Sequence, residues 1–126
     1  MHAMKRLSTT AIFTMLTTLL GIVVAGCSEA PPETKVVTLE ATEFAFEPQR
    51  IEAEPGQTLR IRLVNQGAVS HNLHIADAKV GSETIQTDGS DTFEFTAPES
   101  GEVRFFCNVP GHEQAGMTGT IVVTED

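Results

Sequence analysis

The stretch Phe105-Phe106-Cys107-Asn108-Val109-Pro110-Gly111-His112-Glu113-Gln114-Ala115-Gly116-Met117 carries the spacing C-x4-H-x4-M. An earlier segment, Ser70-His71-Asn72, supplies a second imidazole. A thiolate, two imidazoles and a thioether form a donor set suited to copper in both of its common oxidation states. The thiolate and imidazoles serve Cu(I) and Cu(II), while a thioether binds weakly along an axis. Neither state reaches its ideal geometry, so little has to move when an electron arrives. The metal would itself hold Cys107 as the thiolate.

Each donor alone has a plainer reading. Cys107 would be a buried structural thiol, a common fate for a free cysteine. His71 would be a loop histidine, His112 a turn residue and Met117 a core filler. Together they have to explain a full copper donor set arranged in order along one chain. Zinc would accept the cysteine and the histidines, but a structural zinc site asks for a stronger fourth donor than a thioether. His74 lies three residues after His71 and faces the other way on an extended strand, which makes it a packing or surface residue.

The elements that must position these donors read as short strands. Val37, Leu39 and Ala41 alternate with polar residues, as do Leu59, Ile61 and Leu63, and Phe93 and Phe95; Phe44 and Phe46 alternate with Glu43, Ala45 and Glu47, and Ile121 and Val123 with Thr120, Val122 and Thr124. A period of two places one side inward and the other in water. Turn signals separate the strands: Glu54-Pro55-Gly56, Asn65-Gln66-Gly67, Asp88-Gly89-Ser90 and Pro98-Glu99-Ser100-Gly101. Many short strands with frequent turns indicate an all-β fold, an antiparallel sandwich or barrel, with the site on loops. Residues 76–87 fit the pattern least and read as a loop or short helix. Val103, Phe105 and Cys107 share a strand face, so Cys107 leaves the strand on the core side. Pro110-Gly111 suits the centre of a type II turn, with the glycine at positive φ. That turn would bring His112 back beside Cys107.

The first residues read as an address. Lys5 and Arg6 precede an apolar stretch, Ala11 to Ala25, too short and threonine-rich for a membrane span. It ends in Val24-Ala25-Gly26-Cys27, which resembles a bacterial lipoprotein box. The expected organisation is a signal peptide over 1–26, a lipidated Cys27 with a Pro31-Pro32 tether over 27–34, and one folded domain over 35–126. Lipidation adds more than one acyl chain, enough for stable anchoring. The protein is then exported and held at the periplasmic or extracytoplasmic face of a membrane. The other reading of Cys27 and Cys107 in an exported chain is a single disulfide. With 17 acidic against 8 basic side chains, the formal charge is -9. Such a surface repels nucleic acid and suits a partner with a basic face.

Phe105-Phe106-Cys107-x-x-Pro110-Gly111-His112 resembles the cupredoxins, the type 1 blue-copper family, in its azurin form. The gap to Met117 is closer to that of auracyanin. Phe44-x-Phe46-x-Pro48-x-x-Ile51 and Gly56-x-x-Leu59 resemble the family's early strands, so the likeness covers most of residues 36–124. The resemblance implies a Greek-key β-sandwich with the metal site on loops at one end. It implies one type 1 copper ion, with His71, Cys107 and His112 equatorial and Met117 axial. Asn72 would tie the two ligand loops together. Two departures stand out: Ser70 replaces the glycine that precedes azurin's first histidine, and azurin's disulfide has no counterpart. The function implied is one-electron transfer between redox proteins, the partner being a cytochrome or a membrane oxidoreductase, by a monomer with no catalysis of its own and with His112 as the electron's exit. The alternative is a copper carrier or chaperone that delivers metal to another protein.

Overall fold

The computed structural model describes residues 30–125 together with Gly26. The expected leader, apart from Gly26, and the proposed lipidation site Cys27 lie outside the described residues. Residues 30–34 run without strand or helix, and the Glu33 carbonyl accepts a hydrogen bond from Gln57 Nε2 at 3.0 Å.

Eight strands follow: β1 (Lys35–Thr42), β2 (Ala45–Glu47), β3 (Arg50–Ala53), β4 (Thr58–Asn65), β5 (His74–Ile75), β6 (Ser90–Thr96), β7 (Gly101–Phe106) and β8 (Thr118–Val123). They form two four-stranded sheets, ordered β2-β1-β4-β6 and β3-β8-β7-β5. The all-β sandwich expected from the alternation is the observed architecture. Its sheets are mixed, because β1 runs parallel to β4 and β3 parallel to β8. The chain crosses between sheets after β2, so β3 joins the last strand. Residues 76–87 form a loop, pinned by bridges between His71 and Ile85 and between His74 and Gly81.

The alternation translates into the core. Leu39, Ala41, Leu59, Ile61 and Leu63 from one sheet meet Ile51, Phe105 and Ile121 from the other, all buried. Phe46 and Phe105 pack edge to face, with ring centroids 5.5 Å apart. Phe105 is paired in register with Gly119 on β8. A Cβ at Gly119 would stand 2.6 Å from the Gln49 carbonyl oxygen and closer still to the Phe105 ring. Glycine is what allows the large ring to lie across the neighbouring strand.

Two residues depart from the simple alternation. Phe44 was expected to share the inward face of Phe46, but it sits in the turn between β1 and β2 and is 40% exposed. The turn breaks the period and sends its ring to the end of the sandwich. Val122, expected outward, is buried. Its strand is central, and Glu52 and Glu102 flank it in register on the neighbouring strands.

Candidate metal centre

Cys107 follows the last residue of β7 and keeps the inward direction of Phe105, with no exposed surface. The chain then turns sharply. The His112 N–H donates to the Val109 carbonyl at 3.0 Å, closing a turn with Pro110 and Gly111 at its centre. Gly111 has φ of 87°, the value that a type II turn requires at that place. One further helical-type turn follows, in which Ala115 N–H donates to the carbonyls of Gly111 and His112, each at 3.1 Å. Gly116, at φ 99°, ends it and returns the chain toward β8.

Met117 is anchored at both ends of this loop. Its N–H donates to the His112 carbonyl at 3.1 Å, and its carbonyl accepts from Cys107 N–H at 3.1 Å. Its side chain is fully buried. The C-x4-H-x4-M spacing is therefore the length of one closed loop whose backbone holds Cys107, His112 and Met117 together.

His71 comes from the loop between β4 and β5. Its backbone forms a two-way bridge with Ile85, and its side chain is fully buried. Its Nδ1 lies 3.2 Å from His112 Nδ1, and Cys107 Sγ lies 3.5 Å from that same nitrogen. The three donor atoms all fall within 4.8 Å of one another, the one such group among the described residues. Atoms bound about 2 Å from a shared ion lie roughly 3–4 Å apart, as the pairs at 3.2 and 3.5 Å do, and a small closing of the widest pair would let one ion reach all three. Without a metal the two nitrogens are at hydrogen-bond distance, one ring donating to the other; a cation between them would take a lone pair from each.

Electrostatics favours the neutral imidazole. Burial, the largest influence, pulls His71 below its ordinary 6.5; a hydrogen bond with Glu43 pushes back, and His112 adds to the lowering. Neutral imidazole is the form that binds metal. The Glu43 carboxyl is itself held below the usual 4.5, chiefly by the Val69 N–H; partial burial opposes this, and the Ala68 N–H reinforces it.

Asn72 joins the two loops. Its Oδ1 accepts from Asn108 N–H at 2.9 Å, and its Nδ2 donates to Asn108 Oδ1 at 2.7 Å and Thr84 Oγ1 at 2.9 Å. His74 does not reach the donor group. It lies on β5 and packs against Phe106 at 6.2 Å between centroids. Phe106 also carries the Arg104 guanidinium over its face at 5.1 Å, and Arg104 pairs with Glu113. Only one donor approaches the surface: His112 is 9% exposed. Phe44 stands edge-on to it, 4.8 Å between centroids.

Sequence reasoning missed Glu43 and Phe44. Both were read as members of an ordinary strand alternation, and both lie in the turn that reaches the donor group. The signal available was the pair's position directly ahead of Ala45-Phe46-Glu47-Pro48, where a strand had to end.

Comparison with known proteins agrees with the geometry. Residues 12–123 match a family model described as a cupredoxin-like domain. Auracyanin-A of Chloroflexus aurantiacus is 29% identical over 126 residues, covering 76% of this chain and 77% of its own. The copper-resistant cuproprotein CopI of Pseudomonas aeruginosa is 20% identical over 144 residues, covering 76% and 80%. The solved structure of the C. aurantiacus auracyanin A, described as a blue copper protein, superposes with a TM-score of 0.65 at 24% identity, covering 72% of this chain and 99% of that one.

Proposed function

The chain belongs to the cupredoxin-like family, and from that premise we propose that it carries single electrons on one mononuclear copper ion. His71, Cys107 and His112 would hold the ion, with Met117 as a further donor from the same closed loop. Copper, when bound, supplies the one-electron couple between Cu(I) and Cu(II). The observation that carries this reading is the convergence of three donor atoms within 4.8 Å in a buried pocket. His71, Cys107 and Met117 have no exposed surface. Burial on this scale suits electron transfer through the edge of His112 better than binding of a substrate.

The surface around that edge suits brief docking. Phe44 and Val69 are exposed at 40% and 42%, and Pro110, Ala115 and Gly116 are exposed on the neighbouring loop. A small apolar face of this kind favours weak, short-lived redox encounters. Glu113, beside His112, is already paired with Arg104 and is a poor candidate for steering a partner. The likeness to a copper-resistant cuproprotein favours a second reading, copper delivery. Burial of the donors weighs against it, since a carrier must release its metal readily.

We also propose export and tethering through Cys27. β1 begins at Lys35, next in sequence to the proposed tether, and ends at the turn beside the donors, so such an anchor would leave the site at the opposite end of the sandwich. Its eight residues span about 26 Å at the usual rise of a strand.

Stoichiometric copper loading followed by redox titration separates the readings. An electron carrier retains one copper per chain through repeated one-electron reduction and oxidation. Rapid loss of the copper to a competing chelator would favour delivery instead.

A further inference from the structure

His71 has two ring nitrogens with distinct surroundings. Nδ1 faces the other donors, 3.2 Å from His112 Nδ1. Nε2 faces away and meets Glu43 Oε1 at 3.3 Å. That same carboxylate oxygen accepts the Ala68 N–H at 2.7 Å and the Val69 N–H at 3.1 Å. The glutamate therefore spans from the β1–β2 turn to the loop that carries His71.

The space it occupies is reserved by the backbone. Gly67 is buried, and a Cβ there would lie 2.9 Å from His71 Nε2 and closer still to Glu43 Oε1. Any larger residue would push carboxylate and imidazole apart. Gly67 N–H is in turn held by Asn65 Oδ1 at 2.8 Å, and Asn65 is wholly buried. The carboxylate meets the ring inside a shaped recess, with three donors converging on one oxygen.

We propose that Glu43 is a positioning residue for the metal centre, holding the proton of His71 on Nε2 and lending negative charge to the ring, so that Nδ1 is a stronger donor to Cu(II). The physical basis is general. A carboxylate behind a ligating imidazole selects its tautomer, fixes its orientation and raises its basicity. Added negative charge stabilises the more highly charged ion, so it favours Cu(II) over Cu(I) and lowers the reduction potential. The side chain of Glu43 remains 37% exposed, so water and salt screen part of this effect. The proposal rests on the copper reading for its redox half only; the tautomer half concerns the protein alone.

Two variants separate charge from geometry. Glu43→Gln keeps an oxygen that can accept from His71, Ala68 and Val69, and it removes the charge. Glu43→Ala removes both. The first readout is nitrogen-15 NMR of the His71 ring in the copper-free protein. Wild type and Glu43→Gln should hold the proton on Nε2, whereas Glu43→Ala should show mixed tautomers. The second readout is the reduction potential of the copper-loaded protein. Glu43→Gln should weaken Cu(II) binding up to about tenfold relative to Cu(I), a rise of at most about 59 mV for one electron, with the visible spectrum little changed. A tautomer unaffected by Glu43→Ala, or a potential unmoved by Glu43→Gln, overturns the corresponding half. Wild-type protein that binds no copper would instead sink the copper reading, and the tautomer measurement would still decide the positioning role.

Discussion

At the scale of single residues, the donor group depends on neighbours that hold it without touching the metal position. Asn72 spans the His71 and Cys107 loops through three hydrogen bonds, two of them to Asn108. Asn72→Ala should lower the stability of the copper-free domain by about 1–3 kcal/mol, because polar groups at a mostly buried seam lose their partners. Urea unfolding measures this, and an unchanged midpoint would mean that the loops hold their places unaided. The grouping of His71, Cys107 and His112 was legible in the sequence, since Cys and His at this loop spacing have few other collective uses. Asn72 was legible only through its likeness to a family position. Glu43 was not legible, because a glutamate at a strand end looks like any solvated residue until the fold sets it against a loop 28 positions later.

At the scale of elements, a period of two revealed most strands and the inward direction of Cys107. It did not reveal which strands pair. Sheet order depends on contacts distant in sequence, such as Ile51 beside Ile121 and Val37 beside Ile61, and no local pattern encodes the parallel pairs. The Pro110-Gly111 turn was legible because glycine at positive φ is a backbone requirement stated by a residue type. Gly119 was not, although it permits the closest packing in the core. Gly119→Ala would drive a methyl group into the Phe105 ring and the Gln49 carbonyl. Overpacking of this kind costs roughly 3 kcal/mol, and β8 begins at the residue after Met117. Thermal unfolding should therefore fall by several degrees, and a silent substitution would show that the ring can move aside at little cost.

At the scale of the whole molecule, the sandwich separates two poles. One carries the loops with His71, Cys107, His112 and Met117; the other receives the chain from residues 30–34 through Gln57. Across the whole chain acidic side chains outnumber basic ones 17 to 8, a formal charge of -9. Reduction by a basic redox protein should therefore slow as salt is raised, because at physiological ionic strength charges more than about 8 Å apart are already largely screened. A rate independent of salt in stopped-flow measurements would place the recognition in the apolar face alone. On the proposed function, the buried cysteine and two histidines hold one redox-active copper. The most direct test of this is the visible absorption spectrum of the protein after addition of Cu(II), beside that of Cys107→Ser. The expected result is an intense blue thiolate-to-copper band that a mild reductant bleaches and the variant lacks. A colourless wild-type protein, or a band that survives in Cys107→Ser, would contradict it.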